Sequence, residues 1–168
     1  EAILERIREA GVVGMGGASF PTDVKLAPPP DKPIETIIAN GSECEPYLTI
    51  DYRTMLESPA DVVEGLAIAA YLVGAKRAVV AIEENKADAL PVIEREFAAH
   101  SHGIAMEAML VATKYPEGGE KMLIQVVTGR EIPSKGLPFD VGAICQNTGT
   151  LTPTTAACAD GNPPTDRG

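Results

Sequence analysis

Four short runs of branched apolar residues, separated by segments of helical spacing, restrict this chain to a small set of folds. Ile34 to Asn40, Ala78 to Ile82, Ile104 to Ala112 and Val141 to Cys145 have the length and composition of buried strands. Between the first two, Ser58 and Pro59 supply a helix N-cap and first turn. Val62, Val63, Leu66, Ala70 and Val73 keep helical spacing, and Gly74 ends the helix. Asn85 is expected to cap the next helix, toward Phe97, with Pro91 either kinking it or delaying its start. Lys121 to Thr128 mixes both signals and is read as helix, because glycines punctuate it on either side. Alternating strand and helix predicts an α/β fold, with a mostly parallel sheet covered on both faces. Ligands of such sheets collect at the C-terminal ends of strands, where the turns at Asn40 and Asn147 are expected.

Composition removes several function classes. At 168 residues the chain has ordinary single-domain size, and 45% apolar with 23% charged residues is a globular balance. A net charge of −10 opposes a phosphate backbone, so no nucleic-acid partner is expected. The longest apolar stretches break well short of the roughly 20 residues that a bilayer requires. Cys44, Cys145 and Cys158 lie far apart, with no Cys-x-x-Cys to hold zinc or an iron–sulfur cluster, which suits a reducing compartment. His100 and His102 lack a third ligand in any recognisable spacing and read as ordinary helix-end residues. The chain opens inside a helical pattern over residues 2 to 10 without Met and closes on a turn-like run, which reads as a fragment of a longer protein.

Three loops carry candidate chemistry. Residues 11 to 22 hold Gly11, Gly14, Gly16 and Gly17, too many for an element interior. Thr22 is placed to cap a short helical turn through Lys25. The glycine spacing matches neither the dinucleotide fingerprint nor a P-loop. The loop is therefore either a close approach of backbone to a phosphate or a plain turn. Asn40, Glu43 and Glu45 put an amide and two carboxylates on one turn, suited to a ring edge and to ribose hydroxyls, or simply to solvent. Tyr115, Gly118 and Glu120 form either a second ligand loop or a helix entry with a favourable acidic first turn. No Gly-x-Ser-x-Gly elbow is present, and Cys44 has no evident histidine partner, so a hydrolase is not indicated.

Read together, these segments resemble the RnfC family of electron-transport subunits, relatives of the flavoprotein subunit of respiratory complex I. The resemblance rests on Gly14 to Phe20 with Pro21, Thr22 and Lys25, on Asn40, Glu43, Glu45 and Pro46, and on Tyr115, Pro116, Gly118, Gly119, Glu120 and Lys121. Thr128, Gly129, Arg130, Glu131 and Pro133, then Gln146, Asn147, Gly149 and Thr150, continue it in the family's order.

The resemblance implies a Rossmann-like domain over residues 1–152, with an N-terminal glycine-rich loop, that binds FMN and takes hydride from NADH. Residues 153–168 would begin a linker to a following β-grasp domain. By the same likeness, Gly14, Gly16, Gly17 and Lys25 contact flavin and dinucleotide, and Phe20 stacks on adenine. Asn40 and Glu45 lie near the isoalloxazine and nicotinamide, and Glu43 of the same motif is counted among the cofactor-binding residues. Tyr115, Gly118 and Glu120 form a second flavin loop, and Asn147 with Thr150 hold the phosphate and ribityl chain. Met15, Ser42, Gly119 and Pro28 depart from the complex I pattern, which leaves the flavin pocket better matched than the NADH pocket. Electrons would pass to iron–sulfur clusters outside the chain, within a membrane complex that translocates ions and on its cytoplasmic face. The alternatives are a soluble relative, such as a cobalamin reductase or a proline-reductase-associated subunit, and a scaffold that keeps the fold without flavin.

Overall fold

A computed structural model describes residues 2–43, 49–113 and 119–159. Its elements run α1 (Ala2–Glu9), α2 (Thr22–Lys25), β1 (Thr36–Gly41), α3 (Ile50–Glu57), α4 (Pro59–Val73), β2 (Arg77–Glu83), α5 (Leu90–His100), β3 (Ala105–Val111), α6 (Glu120–Thr128), β4 (Ala143–Asn147) and α7 (Thr148–Ala159). Short 3-10 turns cover Glu84–Ala89 and Pro138–Val141. The four strands form one sheet in the order β3-β2-β1-β4, and every neighbouring pair is parallel. The expected α/β architecture is thus what the chain adopts.

Side-chain alternation explains the two covered faces. Ile37, Ala39, Ala78, Val80, Ile82 and Ile144 share one core with residues of α1, α3, α4, α5 and α7. Ile38, Val79, Ala81, Ala143 and Cys145 face the other way, against Leu123, Ile124 and Val127 of α6. From β1 the chain steps outward through α4 to β2 and through α5 to β3, then returns through α6 to β4 on the far side of β1. That reversal puts the topological switch point between β1 and β4 at their C-terminal ends, the position where doubly wound sheets bind ligands.

Three differences from the sequence reading have local causes. Strand β4 begins at Ala143 rather than Val141, because residues 138–141 are spent on a 3-10 turn that Gly142 ends in the left-handed conformation. Helix α3 shows too little apolar periodicity to be anticipated: it buries only Asp51 and Met55, one turn apart. Its first amides are capped from a distance, since Asp51 N and Tyr52 N donate to the Glu43 carboxylate at 2.8 and 3.4 Å. Helix α7 runs on past residue 152, since residues 153–159 continue it, with Thr154, Thr155 and Ala157 buried in the fold. Its composition hides it. Pro153 supplies no N–H to the Gly149 carbonyl one turn back, and the Thr152 hydroxyl donates to that oxygen instead, at 3.3 Å. Thr154 Oγ1 likewise donates to Thr150 O at 2.8 Å, and Thr155 Oγ1 to Asp61 O of α4 at 2.7 Å.

Candidate functional site

The sequence candidates that the structure describes gather at the C-terminal edge of the sheet. Asn40 and Asn147 are register partners across the β1–β4 switch point. Each folds its amide back on its own turn: Asn40 Oδ1 accepts Ser42 N at 2.9 Å, and Asn147 Oδ1 accepts Gly149 N at 2.8 Å. Two matching Asx turns therefore end the two strands that flank the switch point. Through Gly149, Asn147 also caps the start of α7, where the helix dipole favours an anion.

The glycine loop closes over this turn. Met15 N donates to Thr150 Oγ1 at 2.9 Å, and Gly14 N donates to Phe20 O at 2.8 Å, which makes the loop a short hairpin. At Gly16 a Cβ would stand 3.1 Å from Asn147 Cβ and 3.5 Å from its Nδ2, so glycine lets the loop backbone lie against the α7 cap without displacing Asn147. Gly17 has φ +147, a conformation favouring glycine, and no heavy atom within 4 Å of its Cβ position. Phe20 stands at the loop end, 52% exposed. Lys25 Nζ donates to Glu120 Oε1 at 2.7 Å, tying α2 to the first turn of α6. Helix α2 follows Pro21, with Thr22 inside it and no side-chain cap.

Beneath these turns runs a buried chain of charge that the sequence did not announce. Asn147 Nδ2 donates to Asp51 Oδ2 at 2.8 Å. Lys86 Nζ donates to Glu43 Oε2 and to Glu83 Oε2, each at 2.9 Å, and the Lys86 and Glu43 side chains are 11% and 4% exposed. Burial works against the Lys86 ammonium, but the two carboxylates outweigh it and hold the group above the usual lysine value. Burial pushes the Asp51 carboxyl up. Asn147, Thr148 and the Gly149 amide oppose this, and the charge of Glu43 adds to it. Thr148 Oγ1 sits close enough to Asp51 to ease its charge, yet it is fully buried and has no partner at hydrogen-bonding geometry among the described residues. The Ser42 hydroxyl at the end of β1 is buried and unpartnered in the same sense. Asp51 and Lys86 escaped sequence reasoning because their partners lie 96 and 43 residues away.

Glu45, Tyr115 and Gly118, like Cys44, lie outside the described residues. His100 Nδ1 and His102 Nε2 both meet Glu64 Oε2, at 3.1 and 2.8 Å, and hold that carboxylate below its usual value although burial opposes them. Among the described residues no group of three or more His, Cys, Asp or Glu is placed to hold a metal, and no helix is long and apolar enough to cross a membrane. An open depression of about 450 Å³ lies at the opposite end of the sheet, between Glu35 and Gly142. Four of its charges are spent on one another, Lys32 on Asp140 and Arg130 on Glu35. The candidate site is therefore the C-terminal edge and not this depression. A buried threonine hydroxyl, a close glycine contact and a capped helix start fit a phosphate-bearing ligand.

Comparison with known proteins bears on the same region. The model of the Nuo51 FMN-binding domain matches residues 7–155. The chain is 52% identical over 157 residues to the C component of the proton-translocating ferredoxin:NAD(+) oxidoreductase complex of Clostridium ljungdahlii, covering 94% of this chain and 34% of that protein. It is 45% identical over 150 residues to the C component of the Na(+)-translocating ferredoxin:NAD(+) oxidoreductase complex of Acetobacterium woodii, covering 89% of this chain and 33% of that protein. To the C component of the ion-translocating oxidoreductase complex of Salmonella arizonae it is 44% identical over 167 residues, covering 99% of this chain and 24% of that protein. The chain thus spans about a third or less of the length of these relatives. Among solved structures, the NAD+-reducing [NiFe]-hydrogenase in the H2-reduced state matches with a TM-score of 0.81 at 28% identity, over 95% of this chain and 30% of that one. The resemblance drawn from the sequence motifs is the one these comparisons return.

Proposed function

The chain belongs to the family of Nuo51 FMN-binding domains, and from that premise we propose that it binds FMN at the β1–β4 switch point as part of an NADH-oxidising subunit of the RnfC type. The observation that carries this reading is the pair of register-matched Asx turns at Asn40 and Asn147, with the Gly16 backbone packed on the second. Asn147, Thr148 and Thr150 would receive the phosphate at the start of α7. Gly14, Gly16 and Gly17 let backbone approach the ligand where a side chain would stand in the way. Asn40 and Glu45 would orient the flavin and nicotinamide rings, and Phe20, already exposed, would stack on adenine. Lys25 and Glu120, joined in the structure, would border the flavin together with Tyr115 and Gly118. Glu43 contributes from below, since its carboxylate holds α3 and Lys86.

When bound, the flavin supplies the conversion between hydride and single electrons that no side chain here performs. The residues around it align the two rings and exclude water. Nothing in the cysteine spacing provides a cluster, so electrons would leave to iron–sulfur centres outside this chain. The names of the relatives support a place in an ion-translocating complex. The cytoplasmic side of the membrane is the placement proposed for the domain.

The test is stopped-flow bleaching of flavin absorbance on mixing the FMN-loaded protein with NADH. NADH should bleach the flavin, and Glu45→Gln should slow that step while flavin content is retained. Flavin that dithionite reduces and NADH does not would remove NADH oxidation from the assignment.

A further inference from the structure

The start of α7 presents an anion with an unusual neighbour. Asp51 Oδ2 accepts from Asn147 Nδ2 at 2.8 Å, and Asp51 Oδ1 lies 3.4 Å from where a Gly149 side chain would begin. A carboxylate therefore stands against the helix start that is fitted for phosphate. The residue is 6% exposed, so solvent screens little of its charge. A phosphate placed there disfavours the ionised form of the carboxylate, and the partial charge of the helix start offsets this only in part.

The two lysines that the structure ties to this edge are already paired. Lys86 is spent on Glu43 and Glu83, and Lys25 on Glu120. From the end of β1, Glu43 faces Asp51 and adds negative charge. The 3-10 turn after β2 contributes Lys86, already paired, and Asp88, which accepts from the Tyr52 hydroxyl at 2.5 Å. Helix α7 carries no ionisable side chain except Cys158, near its far end, and no charged group of α4 or α5 acts on Asp51. At the same point Thr148 Oγ1 is buried close to Asp51, with no partner at hydrogen-bonding geometry among the described residues.

We propose that Asp51 takes up a proton from solvent when the phosphate of FMN binds at the start of α7, and gives it back when FMN leaves. The inference deepens the FMN reading and rests on it. Asp51 then serves as a specificity residue: as a neutral carboxyl it keeps its acceptor oxygen for Asn147 and gains an O–H to offer the phosphate, whereas as a carboxylate it repels it. The burial that already raises its pKa works in this direction. Asn147 keeps the same partner in both states, so the α7 cap persists while the charge changes.

The experiment measures FMN and riboflavin affinities of the full-length protein by fluorescence quenching between pH 7 and 9. The phosphate is a dianion throughout that range, its second pKa being about 6. The ratio of FMN to riboflavin affinity should fall with rising pH, approaching about tenfold per unit for one proton taken up. Asp51→Asn keeps the acceptor and removes the charge. It should bind FMN more tightly than the wild type at pH 8.5, with a flat pH profile and unchanged riboflavin affinity. A flat ratio in the wild type, or an Asp51→Asn profile parallel to it, overturns the proposal, and the wild-type slope decides alone if the variant does not fold. FMN no tighter than riboflavin at any pH would instead overturn the phosphate reading beneath it.

Discussion

At the scale of single residues, the site depends on two asparagines that share a register position and a conformation. Both were legible in the sequence, as polar residues at the ends of apolar runs. Their pairing was not, because neighbourhood in a parallel sheet is set by crossovers of many residues rather than by local pattern. The glycine loop was legible as either a close approach of backbone or a plain turn, and the residue it packs against was not legible. Contact runs through Gly16 against Asn147, while Gly17 is fixed by its backbone angle alone. Gly16→Val should therefore displace the Asn147 amide and weaken FMN binding by roughly tenfold or more, the effect of about 1.4 kcal/mol. Equilibrium quenching of flavin fluorescence checks this, and an unchanged affinity in a folded variant would show that the loop yields without touching the cap. Asp51 and Lys86 had no signal to read, since an acidic residue in a short helix and a lysine after a strand are ordinary surface residues until the fold closes over them.

At the scale of elements, strands and long helices followed from apolar periodicity, and the two helices that build the site did not. Helix α3 buries a carboxylate and a methionine, and Gly41 at the end of β1 makes room for that methionine: a Cβ there would stand 2.8 Å from Met55 Sδ. Helix α7 is written in threonine, glycine and proline, poor helix formers that are held here by packing on α4. The contact is close enough to require Gly65, where a Cβ would lie 2.3 Å from Leu151 O. Gly65→Ala improves helix propensity by about 1 kcal/mol, yet it should destabilise the protein, because overpacking of about 1–3 kcal/mol or more exceeds that gain. Urea denaturation reads the difference. A more stable Gly65→Ala protein would mean that α7 docks less tightly than described.

At the scale of the whole molecule, the order β3-β2-β1-β4 places every described candidate on one edge of the sheet and leaves the opposite edge to paired charges. The sequence implied a parallel α/β sheet. It could not order the strands, and the order locates the switch point. The central claim, that this switch point holds FMN by its phosphate at the start of α7, is tested most directly by comparing FMN with riboflavin in the wild type and in the Asn147→Ala, Thr150→Ala double variant. Removing the cap and the Met15 anchor should cost FMN roughly 10- to 100-fold in affinity, the worth of one or two charge-assisted hydrogen bonds, and should leave riboflavin within about threefold. Thermal unfolding confirms that the variant is folded. Equal losses for both ligands, or no preference of the wild type for FMN, would contradict the account.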